Sequence, residues 1–381
     1  MINFVSNREV YFGNDAINNM PAILKWYDKK KVFLVVYRET PTFVQDIKQL
    51  LNEAEVPFTV YVAGSQEPDL DIIDKGTEMC VKEKCDSVIA VGGGSSIDAA
   101  KMMAMMATNG GCTENYQIDG RAVTQQPLLF IAVPTTSGTG AEATKVSVIF
   151  NQHKGYKKAA YDNSMIATSV ILDPKITVSL PPKKTAATGM DAITHAIESY
   201  TSLNANVFSK MYSLKAVELL FKSMVKAYEE PENLEARADM LLGSYFAGLA
   251  ISAGTCLAHI VGQPLGAIYG IPHGDACAIF LIPSMRMNKD YCLDKYADIA
   301  RAAGIDCGGK TDEEAFDALV ALLEDISGKI NAPSKVTDYI EKEKIDVDFA
   351  VENVATSMGH IKHNPRPVSR EVFKELLLSV M

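Results

Sequence analysis

Two regimes of hydrophobic patterning meet at Leu180-Pro181-Pro182, and together they limit what this chain can fold into. Before the prolines, short apolar runs dense in Val, Ile, Leu and aromatics alternate with helical patterns. KKVFLVVY (30–37), PFTVYVA (57–63), CDSVIAVGG (85–93) and PLLFIAVPTT (127–136) read as strands, and residues 42–55, 69–84 and 95–109 read as helices. Such alternation builds βαβ units and a mainly parallel sheet, with ligands at the carboxyl ends of the strands. ATKVSVIF and SVILD, within 144–180, are strand-like with polar turns between them. Beyond the prolines almost every stretch reads as helix. The expected organisation is an α/β domain over 1–182 and an all-helical domain over 183–381, and 381 residues suffice for two cores.

Two turns in the first half have phosphate-binding composition. VIAVGGGSSIDAAK places Gly92, Gly93 and Gly94 between a buried strand and a helix. Glycines let a backbone approach a phosphate closely, and the helix N-terminus adds partial positive charge. Ser95 is a candidate cap for that helix, and Asp98 falls near its first turn. The pattern is not GxGxxG, and a glycine-rich helix entry can equally be structural. PTTSGTGAEAT (134–144) ends another strand with hydroxyls and backbone N–H groups. Either turn alone reads as well as a polar loop, but two at one sheet edge suggest a diphosphate cleft. The strand ending at Tyr37 is followed by Arg38-Glu39-Thr40, with no obvious strand-end acid for a ribose hydroxyl. Arg38 stands there instead and suits a 2′-phosphate, or a solvated surface.

In the second half, DAITHAIESY puts Asp191 and His195 four apart in a helical pattern, hence on one helix face. His259 follows the apolar run SYFAGLAISAGTCLAH. His273 comes fourteen residues later, after Gly266, Gly270 and Pro272 break the helix. One carboxylate and three imidazoles make a four-donor set for a divalent metal. The spacing is not diagnostic, because each residue taken singly reads as a satisfied core group. His153, His360 and His363 read as polar surface or cleft-edge residues.

The net charge of −10 argues against nucleic acid, whose binding needs a basic excess. No uninterrupted run of about 20 apolar residues is present, so no membrane span is expected. The first residues lack the basic and apolar segments of a signal peptide. Seven scattered cysteines with no CxxC pair suit reduced thiols in the cytoplasm.

GGGSSIDAAK, PTTSGTGAEAT, LPPKKTAATGMDAITHAIESYTS, HIVGQPLGAIYGIPHGDACAIFLIPSMRMN and the late NPRP together resemble the iron-containing (group III) alcohol dehydrogenases, in order and across essentially the whole chain. The resemblance implies a Rossmann-like N-terminal domain and a helical C-terminal domain of the dehydroquinate synthase-like fold, with the active site between them. It implies that Asp191, His195, His259 and His273 bind one divalent metal, Fe2+ or Zn2+. Gly93, Gly94, Ser95, Asp98, Thr135, Thr136 and Thr139 would contact the dinucleotide, and Lys157 its ribose. NAD(H) is the expected coenzyme, with NADP(H) as the alternative that Arg38 would favour. The metal would act as a Lewis acid on an aldehyde or alcohol oxygen while hydride passes to or from the nicotinamide. A homodimer or higher homo-oligomer is also expected.

Two departures bear on the substrate. Many members carry a second His four residues after the first in the third motif, and this chain has Gln263 there. A bulky aromatic of the preceding segment is also missing, with Ala250 in Leu249-Ala250-Ile251. Both hint at a small aldehyde bearing a hydroxy, sulfo or carboxy group. The competing function is a non-redox lyase or cyclase of the dehydroquinate synthase type, which also uses a nicotinamide and a metal.

Overall fold

The computed structural model describes residues 2–64, 68–154, 156–356 and 361–381. The chain divides into two compact units. An α/β unit comprises Val5–Thr136 and Gly140–Thr177. A helical unit comprises Val178–Met381, the short segment Ser137–Thr139 and the N-terminal residues through Phe4. The unit change falls just before the Pro181-Pro182 break.

In the α/β unit, β1 (Glu9–Phe12), α1 (Met20–Trp26), β2 (Val32–Val36), α2 (Thr42–Glu53), β3 (Phe58–Val62), α3 (Leu70–Lys82), β4 (Ser87–Gly92), α4 (Gly94–Asn109), α5 (Thr113–Gln117) and β5 (Leu129–Pro134) follow in order. A hairpin, β6 (Val146–Asn151) and β7 (Tyr156–Tyr161), precedes the last strand, β8 (Ser169–Leu172). The six-stranded sheet has the order β1-β8-β5-β4-β2-β3, with every neighbour parallel. β2, β4 and β5 are buried at every residue, as central parallel strands covered on both faces must be. Val32, Leu34 and Val36 meet α1 and α2 in one core cluster. α2 offers that cluster Phe43, Val44, Ile47 and Leu51, an apolar stripe at helical period.

The winding reverses once. From β2 the chain moves out to β3, then returns past β2 to β4 and continues to β5. The carboxyl ends of β2 and β4 therefore flank the topological switch point, where open α/β sheets bind ligands. Among the elements that went unread in the sequence, three have plain physical reasons. β1 is four residues long with alternate residues exposed, α1 is two turns opened by Met20-Pro21, and the Lys-rich β7 reads as polar turn.

The helical unit contains α6 (Pro182–Thr201), α7 (Val207–Glu229), α8 (Leu234–Ala250), α9 (Leu257–Tyr269), α10 (His273–Asn288), α11 (Leu293–Ala302), α12 (Asp312–Lys329), α13 (Val347–Thr356) and α14 (Arg370–Ser379). Pro182 opens α6 at its first position, where a missing N–H costs nothing. Two apolar clusters hold these helices. One gathers residues of α6, α7, α8, α10, α11 and α12, and the other gathers residues of α9, α10, α13 and α14. Helices α6 and α10 pack against each other. Gly274 permits this, because a Cβ there would stand 2.0 Å from the Ala187 carbonyl oxygen. No single helix among the described residues is long and apolar enough to cross a membrane.

In α4, residues Ser96 to Met106 are all buried, so its polar groups must be satisfied internally. Lys101 Nζ donates to Asp98 Oδ1 (3.1 Å) and Thr144 Oγ1 (2.9 Å), and Val148 N–H donates to Asp98 Oδ2 (2.9 Å). The nearby Glu142 is also buried, and its Oε1 has no hydrogen-bond partner among the described residues. Burial pushes its carboxyl up from 4.5 to about 7. The folded state then keeps a proton that the unfolded chain gives up. The contribution of Glu142 to stability is complete below about pH 4.5, declines as pH rises to about 7, and is level above. The full decline is on the order of 3 kcal/mol. Glu142→Gln should flatten this slope in denaturation midpoints measured between pH 5 and 8. An unchanged slope would remove the buried proton from the account.

Candidate functional site

The geometry of the helical unit is centred on Asp191 Oδ1. His195, one turn later on α6, brings Nε2 to 3.5 Å from it. His259, in the first turn of α9, and His273, the first residue of α10, each bring Nε2 to 3.4 Å. The four ligand-type residues read from the sequence therefore converge. A fifth group joins them: Cys277 Sγ lies 3.5 Å from Asp191 Oδ1 and 3.5 Å from His259 Nε2. Donor atoms of Asp191, His259, His273 and Cys277 all lie within 4.8 Å of one another. Metal bonds of about 2.0–2.3 Å at tetrahedral angles place donors about 3.3–3.6 Å apart, so these spacings fit a metal ion.

Electrostatics point the same way. Burial opposes the charge of Asp191, yet the surrounding imidazoles outweigh it and hold the carboxyl well below its usual range. His273 is pushed up to about 10, first by the Cys277 sulfur and then by Asp191. Burial instead lowers His195 to about 4, and its Nδ1 has no partner among the described residues. The centre attracts positive charge while keeping one imidazole neutral, the form that can ligate a metal. Its donors differ in access: the His273 side chain is 38% exposed, against 3% for Asp191 and 6% for His195 and His259.

A second carboxylate orients His259. Glu198, seven residues after Asp191 on the same face of α6, accepts from His259 Nδ1 (2.7 Å), Ala258 N–H (2.6 Å) and Cys256 N–H (2.9 Å). It thereby caps the start of α9 and fixes the His259 tautomer, with Nδ1 protonated and Nε2 free to ligate. Asn364, of the NPRP segment, accepts from Leu257 N–H (3.1 Å) and exchanges two amide bonds of 2.9 Å with Asn288. It ties the start of α9 to the end of α10.

In the α/β unit, the glycine turn lies at the carboxyl end of β4, and Arg38 lies just past the end of β2, both at the switch point. Gly92 cannot carry a side chain, because a Cβ would come 2.5 Å from Ser96 Oγ. The N-cap of α4 is Gly93 and makes no side-chain cap bond, so Ser95 is a first-turn residue rather than the cap. The first N–H groups of α4 therefore have no side-chain cap, an arrangement suited to an anion. The second turn adjoins the first. Thr135 N–H donates to Gly92 O (3.0 Å), and Thr136 stands 3.4 Å from where a Gly93 Cβ would be. Arg38 is exposed, with its guanidinium 5.2 Å from the Tyr37 ring centre. Lys157 lies in β7, opposite Phe150. Two residues behave differently. Asp98 is committed to Lys101 and Val148, and Thr139 is grouped with the helical unit.

Residues 7–174 match the model of the iron-containing alcohol dehydrogenases, and residues 185–381 match the C-terminal model of the same family. The chain belongs to the iron-containing alcohol dehydrogenase family. It is 31% identical over 391 residues to the NADPH-dependent butanol dehydrogenase of Clostridium saccharobutylicum, covering 99% of this chain and 97% of that one. Among solved structures it resembles a 1,3-propanediol oxidoreductase, at TM-score 0.95 and 28% identity over the whole of both chains. It also resembles the sulfoacetaldehyde reductase of Bifidobacterium kashiwanohense in complex with NAD+, at TM-score 0.90 and 28% identity over 100% of this chain and 98% of that one.

This alcohol dehydrogenase is a nicotinamide-dependent, metal-dependent oxidoreductase, and nothing in either half supports the lyase or cyclase alternative. Sequence reasoning passed over three of its residues. Glu198 stands seven after Asp191 and Cys277 four after His273, so helical spacing alone places each beside a ligand-type residue. Asn364 carries no such signal, because its partners are distant in sequence. Of the remaining histidines, His153 is exposed, His363 is half-buried beside Gly254, and His360 lies outside the described residues. Gln263 is exposed one turn past His259, and Ala250 ends α8 fully buried.

Glu198→Gln keeps the shape but turns an amide N–H2 toward groups that are themselves donors. Metal affinity should fall about 10–100-fold in competition with a chromophoric chelator. Affinity within twofold of the parent would deny Glu198 its orienting role.

Proposed function

We propose that this enzyme interconverts a short, polar-substituted aldehyde and its primary alcohol, using NAD(H) and one divalent cation held by Asp191, His195, His259 and His273. The observation that carries this reading is the uneven access of the four donors. Three are closed off and His273 is open, which leaves one side of the centre for a substrate oxygen. When bound, the cation supplies Lewis-acid polarisation of that oxygen and the nicotinamide supplies or takes the hydride.

The α/β domain (1–182) holds the dinucleotide in this reading, and the helical domain (183–381) holds metal and substrate. Gly93, Gly94 and Ser95 present N–H groups to the diphosphate at the α4 N-terminus, with Thr135 and Thr136 beside them and Thr139 and Lys157 as further contacts. Asp98 supports this turn by anchoring α4 to β6.

Two named relatives act on substrates bearing a second polar group, a three-carbon diol and a sulfonated two-carbon aldehyde. Gln263 offers an amide for such a group, and Ala250 leaves volume where an aromatic would fill it. Gln263 does not titrate near neutral pH, so the alcohol proton exchanges with water, the coenzyme ribose or the surroundings of His273. Either Fe2+ or Zn2+ suits the three nitrogens and one oxygen. All seven cysteines are free, which suits a reducing cytoplasm. The exposed Leu203, Val207 and Met211 offer a surface for a homodimer or higher homo-oligomer.

Asp191→Ala and His259→Ala should each lose bound metal and turnover while keeping the far-ultraviolet circular dichroism of the parent. Metal content and activity both retained would sink the ligand assignment. A screen of NAD(P)H oxidation over short hydroxy-, sulfo- and carboxy-aldehydes, run with iron and with zinc, tests the substrate class. Unsubstituted aldehydes turned over as efficiently would refute it.

The coenzyme choice turns on Arg38. A charge-assisted contact to a 2′-phosphate is worth about 1.5–3 kcal/mol, so Arg38→Ala should lower the NADPH-to-NADH ratio of kcat/KM about tenfold or more. An unchanged ratio would remove Arg38 from the coenzyme site.

A further inference from the structure

We propose that Cys277 is a thiolate ligand of the same cation, added to Asp191, His195, His259 and His273. This rests on the metal-centre reading above and extends it to a residue outside the proposed donor set.

Position is the first argument. Cys277 follows His273 by one turn of α10, so both side chains leave the same helix face. The residue is fully buried. Its Sγ lies 3.5 Å from Asp191 Oδ1, 3.5 Å from His259 Nε2 and 3.8 Å from His273 Nε2. A metal–sulfur bond of about 2.3 Å and metal–nitrogen or metal–oxygen bonds of about 2.0–2.1 Å put such donors about 3.5–3.6 Å apart at tetrahedral angles. Cys277 joins atoms of Asp191, His259 and His273 in a group whose donor atoms all lie within 4.8 Å of one another, with His195 Nε2 3.5 Å from Asp191 Oδ1 and the His273 side still exposed.

The second argument is contrast with the other buried thiols of the helical unit. Cys256 Sγ faces the backbone carbonyls of Glu198 (3.4 Å) and His363 (3.7 Å), and Cys292 Sγ faces that of Asn288 (3.4 Å). Those sulfurs donate weakly to carbonyl oxygens, as structural cysteines do. Among the described residues, Cys277 is directed at side-chain atoms of ligand type. The N-termini of α9 and α10 both lie at the centre, and their partial positive charge favours an added anion there. On ligation the S–H proton passes to water as the sulfur–metal bond forms, with no change of oxidation state. A soft sulfur donor in place of an all-nitrogen-and-oxygen set tilts the centre toward zinc.

The test replaces the metal of the full-length enzyme with Co2+, with bound cobalt counted by elemental analysis. Stoichiometric cobalt should give a near-ultraviolet thiolate-to-cobalt charge-transfer band in the parent. Cys277→Ser should retain cobalt, lose the band, and bind Zn2+ about tenfold or more weaker, since even groups behind the ligands are worth that much. One cobalt per chain with visible ligand-field bands but no charge-transfer band overturns the thiolate ligand and leaves the metal centre standing. A band that persists in Cys277→Ser also overturns it. No cobalt bound to the parent sinks both the ligand and the metal centre.

Discussion

A carboxylate as closed off as Asp191 cannot stand alone, because removing an ion from water costs several kcal/mol unless an opposite charge meets it. Most of the local structure of the helical unit follows from that need. Three imidazoles and a thiol are drawn to one oxygen atom from three helices, and a second buried carboxylate, Glu198, sits behind them. A divalent cation at the centre would balance the two carboxylates, which is a stronger reason for the arrangement than donor spacing alone. Helical periodicity makes the arrangement compact: Asp191, His195 and Glu198 occupy one face of α6 at intervals of four and three.

The partners of α6 are held by devices that do no chemistry. α9 begins where Glu198 and Asn364 accept its first N–H groups, so the same carboxylate that orients His259 also starts the helix that carries it. α10 begins after the Gly270–Pro272 turn, and the glycine at its second position lets its backbone reach α6. The α/β unit uses the same physics without a carboxylate. There the uncapped end of α4 is itself the source of positive partial charge, and Gly92 leaves room for the Ser96 side chain of its first turn.

How much was legible in the sequence depended on range. The parallel sheet, its helices and the place where the chain turns wholly helical follow from local periodicity, so β2, β4, β5 and α6 appear where the patterns put them. Asp191 and His195 were readable as a pair because four residues make one turn. His259 and His273 were readable only as chemically apt residues in an apolar stretch, and their convergence is a product of packing. Glu198 and Cys277 had the right spacing but lacked a reason to be singled out until Asp191 was seen at the centre. Asn364 could not be read at all, since the bonds that define it span 76 and 107 residues. Asp98, expected at the dinucleotide, also has a local role that spacing could not show: its oxygens accept from a buried lysine and a backbone N–H.

The two departures from the family motif differ in where they fall. Ala250 is sealed within α8, so its effect on any substrate can only be through volume, by what a larger side chain would have displaced. Gln263 is exposed one turn beyond His259, where a side chain can meet a ligand directly but cannot shuttle its proton. Neither change touches Asp191, His195, His259, His273 or the Glu198 contacts behind them. Under the proposed function the charged centre is kept whole, while the space-filling position bears on what the site admits and the exposed amide also on the route of the alcohol proton. Selectivity between aldehydes should then reside in shape and neutral hydrogen bonding near Ala250 and Gln263, with the polarising centre common to all of them.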